Sequence, residues 1–491
     1  MQDKKPQISK TKYIKGLICL KRLYLDTYKS HLASPVSVTE QGRVDESIYV
    51  GKLARKKFPD GLLIKPVDFE KALRKTFLIL NNNSSIVLFE AAFRYADVVI
   101  RSDILIKKKN NLYDLIEVKS SSKVKKRHPF DAGIQYYVLQ NNGIKIDQVY
   151  LMHINPHYQK TTRKIDLDLL FTCENITRTV CDLQPEIISK LRDVKKVLNF
   201  KRVPSIYPGK HCKKPFLCQY FNYCLKDLDN PVTELPRVSD YALYLLNDLG
   251  IKDISQIPSD FPVLTGLQQR VRNVVVEGIP FINSDIKKEF QSLKFPLYFL
   301  DFEAFNPAIP LYKGTKPYQM IPFQWSLHIL SKNGRVKHKA YLHNNYSDPH
   351  RSFASSLLKA LKKKGSILVY SNFESTRIKE LAQILPVYSK DLKAIQRRII
   401  DLQQIIKSHC YLAEFHGSYS LKNVLPVLVP DLDYSDLEIS NGASAAKAFT
   451  DMMQKKTPLN VKQKLFSQLL DYCKRDTEAM LLIYKYFMNT L

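Results

Sequence analysis

The chain has 491 residues, 45% of them hydrophobic, and a formal net charge of +29 at pH 7. This length exceeds one ordinary hydrophobic core, so two or three domains are expected. The positive charge favours polyanionic partners, chiefly nucleic acid. No apolar run reaches bilayer length, and the polar N-terminus lacks the core of a secretory signal. We therefore expect a cytoplasmic protein without a membrane partner, whose cysteines are reduced or metal-bound.

Two adjacent strands are predicted in the segments "ADVVIRSDILIKK" and "LYDLIEVKSS". Glu117 and Lys119 fall on one face of the second strand because side chains alternate with period two. Asp103, on the first strand, can meet them across the sheet. Two carboxylates there would hold a divalent cation, and the lysine would polarise a phosphate or an attacking water. A surface ion pair on an edge hairpin is the alternative.

Three cysteines are bunched in "HCKKPFLCQYFNYC": Cys212, Cys218 and Cys224. A fourth thiolate is needed to complete a tetrahedral metal or cluster site, and Cys19 in "GLICLKRLYLD" is the best candidate. Zinc and an iron–sulfur cluster both suit four thiolates, so the spacing leaves the choice open. Buried thiols without a ligand are the alternative. The four other cysteines are predicted to be ordinary core or surface residues: Cys173, Cys181, Cys410 and Cys473.

A leading cysteine, an aspartate, a Glu-Val-Lys tripeptide and a trailing cysteine triplet resemble the iron–sulfur subset of PD-(D/E)XK nucleases, which includes RecB-like enzymes. Over residues 1–230 this resemblance implies a nuclease core clasped by a structural 4Fe–4S cluster, with zinc as the alternative. It also implies a helical glutamine that positions a phosphate, and Gln135 in "DAGIQYYVLQ" fits. The family's early histidine ligand is missing from "VGKLARKKFPDG". Glu90 in "IVLFEAAFRYADVVI" is the candidate for the missing oxygen ligand.

Residues 231–290 are predicted to form a small helical connector. The segment "YALYLLNDLGIKDISQIPSDFPVL" has the apolar spacing of a helix that ends near Gly250 and is followed by turns. A simple spacer is the preferred interpretation, and a helix-turn-helix hairpin that contacts nucleic acid is the alternative.

The C-terminal part carries a second set of acidic residues. "FPLYFLDFEAF" predicts a strand that places Asp301 and Glu303 on one side. "LLDYCKRDTEAM" places Tyr472 and Asp476 four residues apart, on one face of a helix. Between them, "GSILVYSNFESTRIKELA" predicts a strand followed by a helix with Glu374 at its start.

This pattern resembles the DEDD exonucleases of the DnaQ-like, RNase H-like superfamily, tyrosine subtype, over residues 291–491. The resemblance implies that Asp301, Glu303 and Asp476 bind two Mg2+ or Mn2+ ions while Tyr472 orients the attacking water. The family's remaining acid normally lies in an Asn-x-x-Phe-Asp type motif. Here "SNFE" supplies Glu374, and Asp401 is the second choice for that role. Solvated acids scattered over a basic protein are the alternative.

Two further segments have two interpretations each. Phe323 and Trp325 can stack a nucleobase or pack in the strand core. Gly417, Ser418 and Lys422 lie at a predicted helix start, which can bind phosphate or serve as an ordinary N-cap.

Taken whole, the chain resembles a bacterial family of unsettled biological role that fuses a RecB-like iron–sulfur nuclease to a DnaQ-like domain. The phrases that carry this likeness are "FEAAF", "IEVKSS", "FLDFEAF", "PFQWSLH", "GSYSLKNVLP" and "YCKRDT". We expect an α/β protein with two nuclease sites that acts on DNA, single-stranded or at 3′ ends, in end processing, repair or defence. An RNA-processing nuclease and a catalytically degenerate nucleic-acid-binding scaffold are the alternatives. No protein partner is indicated by the sequence.

Overall fold

The computed structural model describes residues 6–65, 68–214 and 216–490. The chain divides into two compact units. Unit 1 comprises Met1–Lys226 with Pro307–Gln319, and unit 2 comprises Asp227–Asn306 with Met320–Leu491. Both units mix helices with strands, which confirms the α/β class. None of the helices in the described part of the chain combines the length and apolar content needed to cross a bilayer.

Unit 1 is built on a mixed sheet. Its described strands are β1 (Ile8–Ser9), β2 (Leu62–Leu63), β3 (Ile86–Tyr95), β4 (Val98–Lys107), β5 (Tyr113–Lys119), β6 (Ile146–Ile154) and β7 (Phe171–Asn175). They are ordered β2-β3-β4-β5-β6-β7, and β1 pairs with β4. β4 is antiparallel to both β3 and β5, whereas β5 and β6 are parallel. The two strands predicted around Asp103 and Glu117 are therefore neighbours, as expected.

Helices cover both faces of this sheet. The described helices are α1 (Lys10–Ile18), α2 (Leu20–Tyr28), α3 (Val38–Arg55), α4 (Phe69–Asn82), α5 (His128–Gln140), α6 (Leu167–Leu170), α7 (Thr177–Asp182), α8 (Gln184–Leu198) and α9 (Phe221–Leu225). Leu115 belongs to the apolar cluster beneath α1, α5 and α8, while its neighbour Ile116 belongs to the cluster that contains residues of α3. β5 thus packs on both faces through these two neighbouring side chains, while Glu117 and Lys119 lie towards its carboxyl end.

Unit 2 contains a second mixed sheet. Its described strands are β8 (Phe281–Ile282), β9 (Leu297–Phe305), β10 (Ile321–Leu330), β11 (Val336–Leu342), β12 (Ile367–Val369), β13 (Ile399–Asp401) and β14 (Cys410–Tyr411). The sheet order is β11-β10-β9-β12-β13, and β8 and β14 form a separate pair. β9, β10 and β11 are antiparallel, whereas β12 runs parallel to β9 and β13 runs parallel to β12. β9 lies at the centre.

The helices of unit 2 include the predicted connector. They are α10 (Asp240–Asp248), α11 (Gly266–Glu277), α12 (Asp285–Gln291), α13 (Pro349–Ala360), α14 (Phe373–Ile384), α15 (Ser389–Gln396), α16 (Leu402–His409), α17 (Leu421–Leu428), α18 (Gly442–Met452) and α19 (Leu459–Thr490). The connector helix ends as predicted, since α10 stops at Asp248 and Gly250 has a φ of 72°. Leu243 and Phe290 from residues 231–290 share one apolar cluster with Phe299 and Phe487.

The buried histidine His328 makes the stability of the folded protein sensitive to acid. Burial lowers its pKa to about 4, and the charges of His338 and Lys474 act in the same direction. Its Nδ1 lies 2.8 Å from Thr477 Oγ1. In the unfolded chain the ring takes up a proton below pH about 6.5. As pH falls from there towards the folded value, the unfolded state therefore binds more protons and the free energy of unfolding decreases.

We expect the wild-type protein to lose about 2 kcal/mol more stability than His328→Gln between pH 7 and pH 4.5. Urea unfolding followed by the fluorescence of Trp325, the single tryptophan, reports on unit 2 directly. Equal losses in the two proteins would show that the imidazole does not control this acid sensitivity.

Candidate metal centres

The first acidic pair lies where β4 and β5 stop pairing. The last residues paired in this ladder are Ile104 and Ile116, so Asp103 and Glu117 come directly after it on their two strands. Asp103 Oδ2 instead accepts a hydrogen bond from the Val118 backbone N–H at 2.8 Å. A side chain thus replaces the missing strand partner and fixes the aspartate beside the glutamate.

Glu117 is surrounded by donors. The residue is 1% exposed, and its carboxylate accepts hydrogen bonds from Lys119 at 2.7 Å and from Gln135 at 2.5 Å. Lys10 Nζ lies 2.8 and 3.0 Å from its two oxygens. Burial alone would raise the pKa of Glu117, but the two ammonium groups outweigh burial and hold this pKa well below its usual range. The predicted alignment of Glu117 with Lys119 is confirmed.

Asp103 has a different electrostatic environment. Burial, reinforced by the charge of Glu117, raises its pKa to about 7, and the two lysines only partly offset this. An acid that resists ionisation beside an ionised partner is typical of a site that gains from a bound cation.

Two residues of this site were not predicted from the sequence. Lys119 also pairs with Asp131 at 2.6 Å, and Lys10 lies 3.9 Å from Asp103. Asp131 is four residues before Gln135 on α5, so the helical spacing could have indicated it. Lys10 reaches the site only because β1 pairs with β4, a contact distant in sequence that no local pattern reveals.

Glu90, the candidate for the missing oxygen ligand, lies on β3 beside β4, but its carboxylate faces Arg55. The register pairs Phe89 with Ile104 and Ala91 with Ser102, which leaves Glu90 opposite Asp103. Its φ of 57° is unusual for a residue other than glycine. The Glu90 carboxylate lies 3.7 Å from the guanidinium of Arg55.

Three acids converge in unit 2. Asp301 and Glu303 project from β9, and Asp476 projects from α19. One carboxylate oxygen from each lies within 4.8 Å of the others. No other trio of histidine, cysteine or acidic residues in ranges 6–65, 68–214 and 216–490 meets this criterion. Oxygen donors at this spacing suit a hard divalent cation.

These carboxylates repel one another. Burial raises the pKa values of Asp301 and Glu303 well above their usual range, and the charges of Asp476 and Glu374 raise them further. Burial also raises the pKa of Asp476 to about 6, although hydrogen bonds from Tyr434 and Tyr472 oppose this rise. Their convergence is therefore costly unless a cation is bound.

Glu374 lies beside the trio, whereas Asp401 lies at the end of β13, where α16 begins. Burial raises the pKa of Glu374 to about 8, while backbone hydrogen bonds from Phe302 and from Glu374 itself partly offset this. Its Oε2 is buried and has no hydrogen-bond partner among the described residues. Asp401 caps α16 by accepting from the Gln404 N–H at 3.2 Å. Glu374 thus has a free buried oxygen near the trio.

A polar shell surrounds the trio. Tyr434 donates a hydrogen bond to Asp476 at 2.6 Å, and the Cys473 thiol lies 3.2 Å from Asp301 Oδ2. Lys422 Nζ lies 3.5 Å from the Tyr472 hydroxyl. The same ammonium lies 5.3 Å from the ring centroid of Tyr434 and 5.3 Å from that of Tyr472. Tyr472 was predicted. Tyr434 and the thiol of Cys473 were not, and no local spacing indicates them.

The other candidate contacts are occupied within the protein. Trp325 donates its indole N–H to Ser356 at 2.9 Å, and the Phe323 ring stacks on Phe449 at 4.0 Å. Both predicted stacking residues therefore pack in the core. The backbone N–H of Gly417 donates to the Tyr411 hydroxyl at 3.1 Å, so it is not directed towards a phosphate.

The four predicted cysteine ligands lie near one another. The Cys218 backbone N–H donates to the Cys212 carbonyl at 2.7 Å. Burial, together with the charges of the other three thiols, including that of Cys19, raises the pKa of Cys212 to about 11. Mutual charge effects of this kind require short separations. Four sulfur donors are the set that an iron–sulfur cluster or zinc would use, although no three of these sulfurs lie within 4.8 Å of one another in the described part of the chain.

Comparison with known proteins identifies a partial match. Residues 298–420 match a family model described as a domain of unknown function, DUF2779. The chain is also similar to an uncharacterized protein of Ureaplasma parvum, with 26% identity over 230 residues that cover 41% of this chain and 32% of that protein. A second uncharacterized protein, from Mycoplasma genitalium, is 24% identical over 230 residues that cover 43% of this chain and 34% of the relative. The aligned part of the chain thus spans about a third of each relative. The DUF2779 match contains Asp301, Glu303 and Glu374 but ends before α19.

Replacing one repelling acid should stabilise the protein without metal. We expect Glu303→Gln to raise the thermal midpoint of unit 2 in chelator by about 3 °C, since it removes a buried charge from the trio. Mn2+ should then stabilise the wild type more than the variant. The matched control is Glu438→Gln, which removes an exposed acid paired with Lys464. A lower midpoint for Glu303→Gln in chelator would mean that repulsion does not dominate the site.

Proposed function

We propose that the protein is a metal-dependent nuclease that hydrolyses DNA phosphodiester bonds at two centres. The observation that carries the proposal is the convergence of Asp301, Glu303 and Asp476 within 4.8 Å on buried elements of a chain with net charge +29. Acids held together against their own repulsion favour a divalent cation, and the overall charge favours a polyanionic substrate. Mg2+ and Mn2+ both suit such oxygen ligands.

The sheet of unit 2 supports an RNase H-like, DnaQ-like assignment. Its central strand β9 carries the Asp-x-Glu pair between an antiparallel and a parallel neighbour. In unit 1, an aspartate on one strand, Glu-x-Lys on the next and a glutamine on the following helix support a PD-(D/E)XK assignment. Each unit thus supplies one proposed centre.

In unit 2, Asp301, Glu303 and Asp476 would hold the metal ions, with Glu374 as the fourth acid. Bound ions of this kind activate water and stabilise the leaving oxygen of a phosphodiester. Burial raises the pKa of Tyr472, so its hydroxyl keeps its proton and donates a hydrogen bond to Asp476. The hydroxyl oxygen can then accept a hydrogen bond that orients the attacking water. By the family resemblance we assign 3′→5′ exonuclease action to this centre.

In unit 1, Asp103 and Glu117 would hold a cation and Lys119 would bind the scissile phosphate. Gln135 donates to Glu117 at 2.5 Å, so we assign it the orientation of that carboxylate as well as the predicted phosphate contact. Since Glu90 pairs with Arg55, its role as a ligand requires that the carboxylate leave this partner. Digestion of DNA labelled at the 3′ or the 5′ end would give the polarity of cutting at this centre.

The cysteines are proposed to hold a structural 4Fe–4S cluster, with zinc as the alternative. Cys19 lies at the junction of α1 and α2, whereas Cys212, Cys218 and Cys224 lie far along the chain. A cluster bound by all four would close a long loop of unit 1 and stabilise the folded state.

Substitution of one acid in each unit tests the nuclease proposal. We expect Asp301→Asn and Asp103→Asn each to reduce cutting at its own centre by about 10²-fold or more, because each removes a metal ligand. Labelled single-stranded DNA and RNA, marked at the 3′ or the 5′ end, are digested with Mn2+. Asp471→Asn on α19 and Asp147→Asn in unit 1 are the matched controls, since both change partly or fully exposed acids outside the centres.

The same assay distinguishes the alternatives. Preferential cutting of RNA would identify an RNA-processing nuclease. Nucleic-acid binding without cutting, unchanged in both variants, would indicate a degenerate scaffold and refute the enzymatic proposal. Loss of all cutting in one variant alone would assign the activity to a single unit.

The cluster proposal has its own measurement. Cys218→Ser in anaerobically purified protein should lose most of the bound metal and lower the thermal midpoint of unit 1, because structural metal sites contribute directly to folding. Cys181→Ser, which replaces an exposed cysteine, is the control. About four irons per chain in the wild type would support the 4Fe–4S cluster. One zinc ion per chain would instead support the zinc alternative. Metal content equal in both variants and wild type would exclude Cys218 as a ligand.

A further inference from the structure

Lys10 lies between the two acids of the unit 1 centre. It is the first residue of α1, and the Ser9 side chain caps that helix by accepting from the Lys12 N–H at 3.2 Å. The Lys10 ammonium contacts both oxygens of Glu117, at 2.8 and 3.0 Å, and lies 3.9 Å from Asp103. A positive group therefore already bridges the carboxylates assigned to a divalent cation.

The second lysine of the centre is held differently. Lys119 pairs with Asp131 at 2.6 Å as well as with Glu117 at 2.7 Å. It thus keeps a carboxylate partner if Glu117 turns to another cation. The ion pairs of Lys10 are made with Glu117 and Asp103, the two acids that a divalent ion would bind. Of the two lysines, Lys10 is the one whose position conflicts with a bound ion.

We propose that Lys10 is an internal counter-ion, which holds Glu117 and Asp103 together while no divalent ion is bound and leaves them when one binds. The inference rests on the proposed metal centre of unit 1. It assigns Lys10 a positioning role, since the ammonium acts on the ligands rather than on the substrate. A metal ion must then compete with the lysine, so the affinity of the centre is set below that of the bare acid pair.

Direct Mn2+ binding tests this role. The full-length protein carries Asp301→Asn and Asp476→Asn, so that binding reports on unit 1. We expect the added change Lys10→Met to lower the Mn2+ dissociation constant about 5- to 10-fold, because the competing cation is gone. Lys12→Met on the same helix is the matched control, since its side chain donates to the Gln7 carbonyl outside the centre. It should leave the dissociation constant unchanged.

Thermal unfolding provides the second readout. In chelator, Lys10→Met should unfold at a lower temperature than its parent, because Glu117 loses a buried partner. At saturating Mn2+ this difference should disappear, since the ion replaces the lysine. A simple reduction of long-range repulsion would strengthen Mn2+ binding without lowering the stability in chelator. Lys10→Arg keeps the positive charge, so it should bind Mn2+ no more tightly than the parent. This variant also serves as the test if Lys10→Met does not fold.

The outcomes separate this inference from the proposed function. Equal or weaker Mn2+ binding by Lys10→Met, where Asp103→Asn abolishes binding, would overturn the counter-ion role and leave the metal centre intact. Tighter binding by Lys10→Arg would also overturn it. Absence of any Asp103-dependent Mn2+ binding in the parent would refute the metal centre itself and the inference with it.

Discussion

The packing of α19 against β9 is the constraint on which the unit 2 centre depends. Tyr484 of α19 lies 5.8 Å from Phe299 of β9 and 5.2 Å from Phe290, measured between ring centres. Buried aromatic pairs of this kind contribute about 0.5–1.5 kcal/mol each beyond their area burial. They lie two helical turns from Asp476, so they fix the position of that acid against Asp301. The free energy of these apolar contacts thus offsets the electrostatic repulsion that would otherwise separate the carboxylates.

A second constraint is common to both units: an acid lies where two strands of a sheet diverge. In unit 1 the Asp103 carboxylate accepts from Val118 beyond the end of the β4–β5 ladder. In unit 2, β12 pairs with β9 only as far as Phe299, and a hydrogen bond joins the backbone of Phe302 to Glu374. Diverging strands leave backbone donors without a strand partner and open a crevice. A carboxylate satisfies the donor and also lines the crevice, which is why acids in these positions serve structure and ligand binding together.

The sequence predicted the local part of each centre and missed the part that depends on tertiary contacts. Period-two spacing was sufficient for Glu117 with Lys119, and the four-residue helical spacing was sufficient for Tyr472 with Asp476, because both relations lie within one element. Lys10 lies in its site because the preceding strand β1 pairs with β4. Pairing between strands so distant in sequence leaves no periodic signal. The same limitation explains why two residues of the unit 2 centre were not found from the sequence: Tyr434 and the thiol of Cys473. Asp131 differs, because its four-residue spacing from Gln135 lies within α5. The backbone of Glu90, with φ of 57°, could not be anticipated from its apolar neighbours.

The two centres differ in how the charge of their acids is balanced, and this difference predicts different affinities for a divalent ion. Glu117 has two ammonium groups within 3.0 Å, so its negative charge is neutralised before any metal arrives. Among the described residues, the trio of unit 2 has one nearby lysine, Lys422, whose own pKa is lowered by burial despite the acids around it. Arg475 also acts on Asp476, but it is paired with Asp436. An acid cluster without a full set of counter-charges gains more from a divalent ion than one already paired. Under the proposed function, the unit 2 centre therefore fills at lower metal concentration, while the unit 1 centre requires the ion to displace a lysine first.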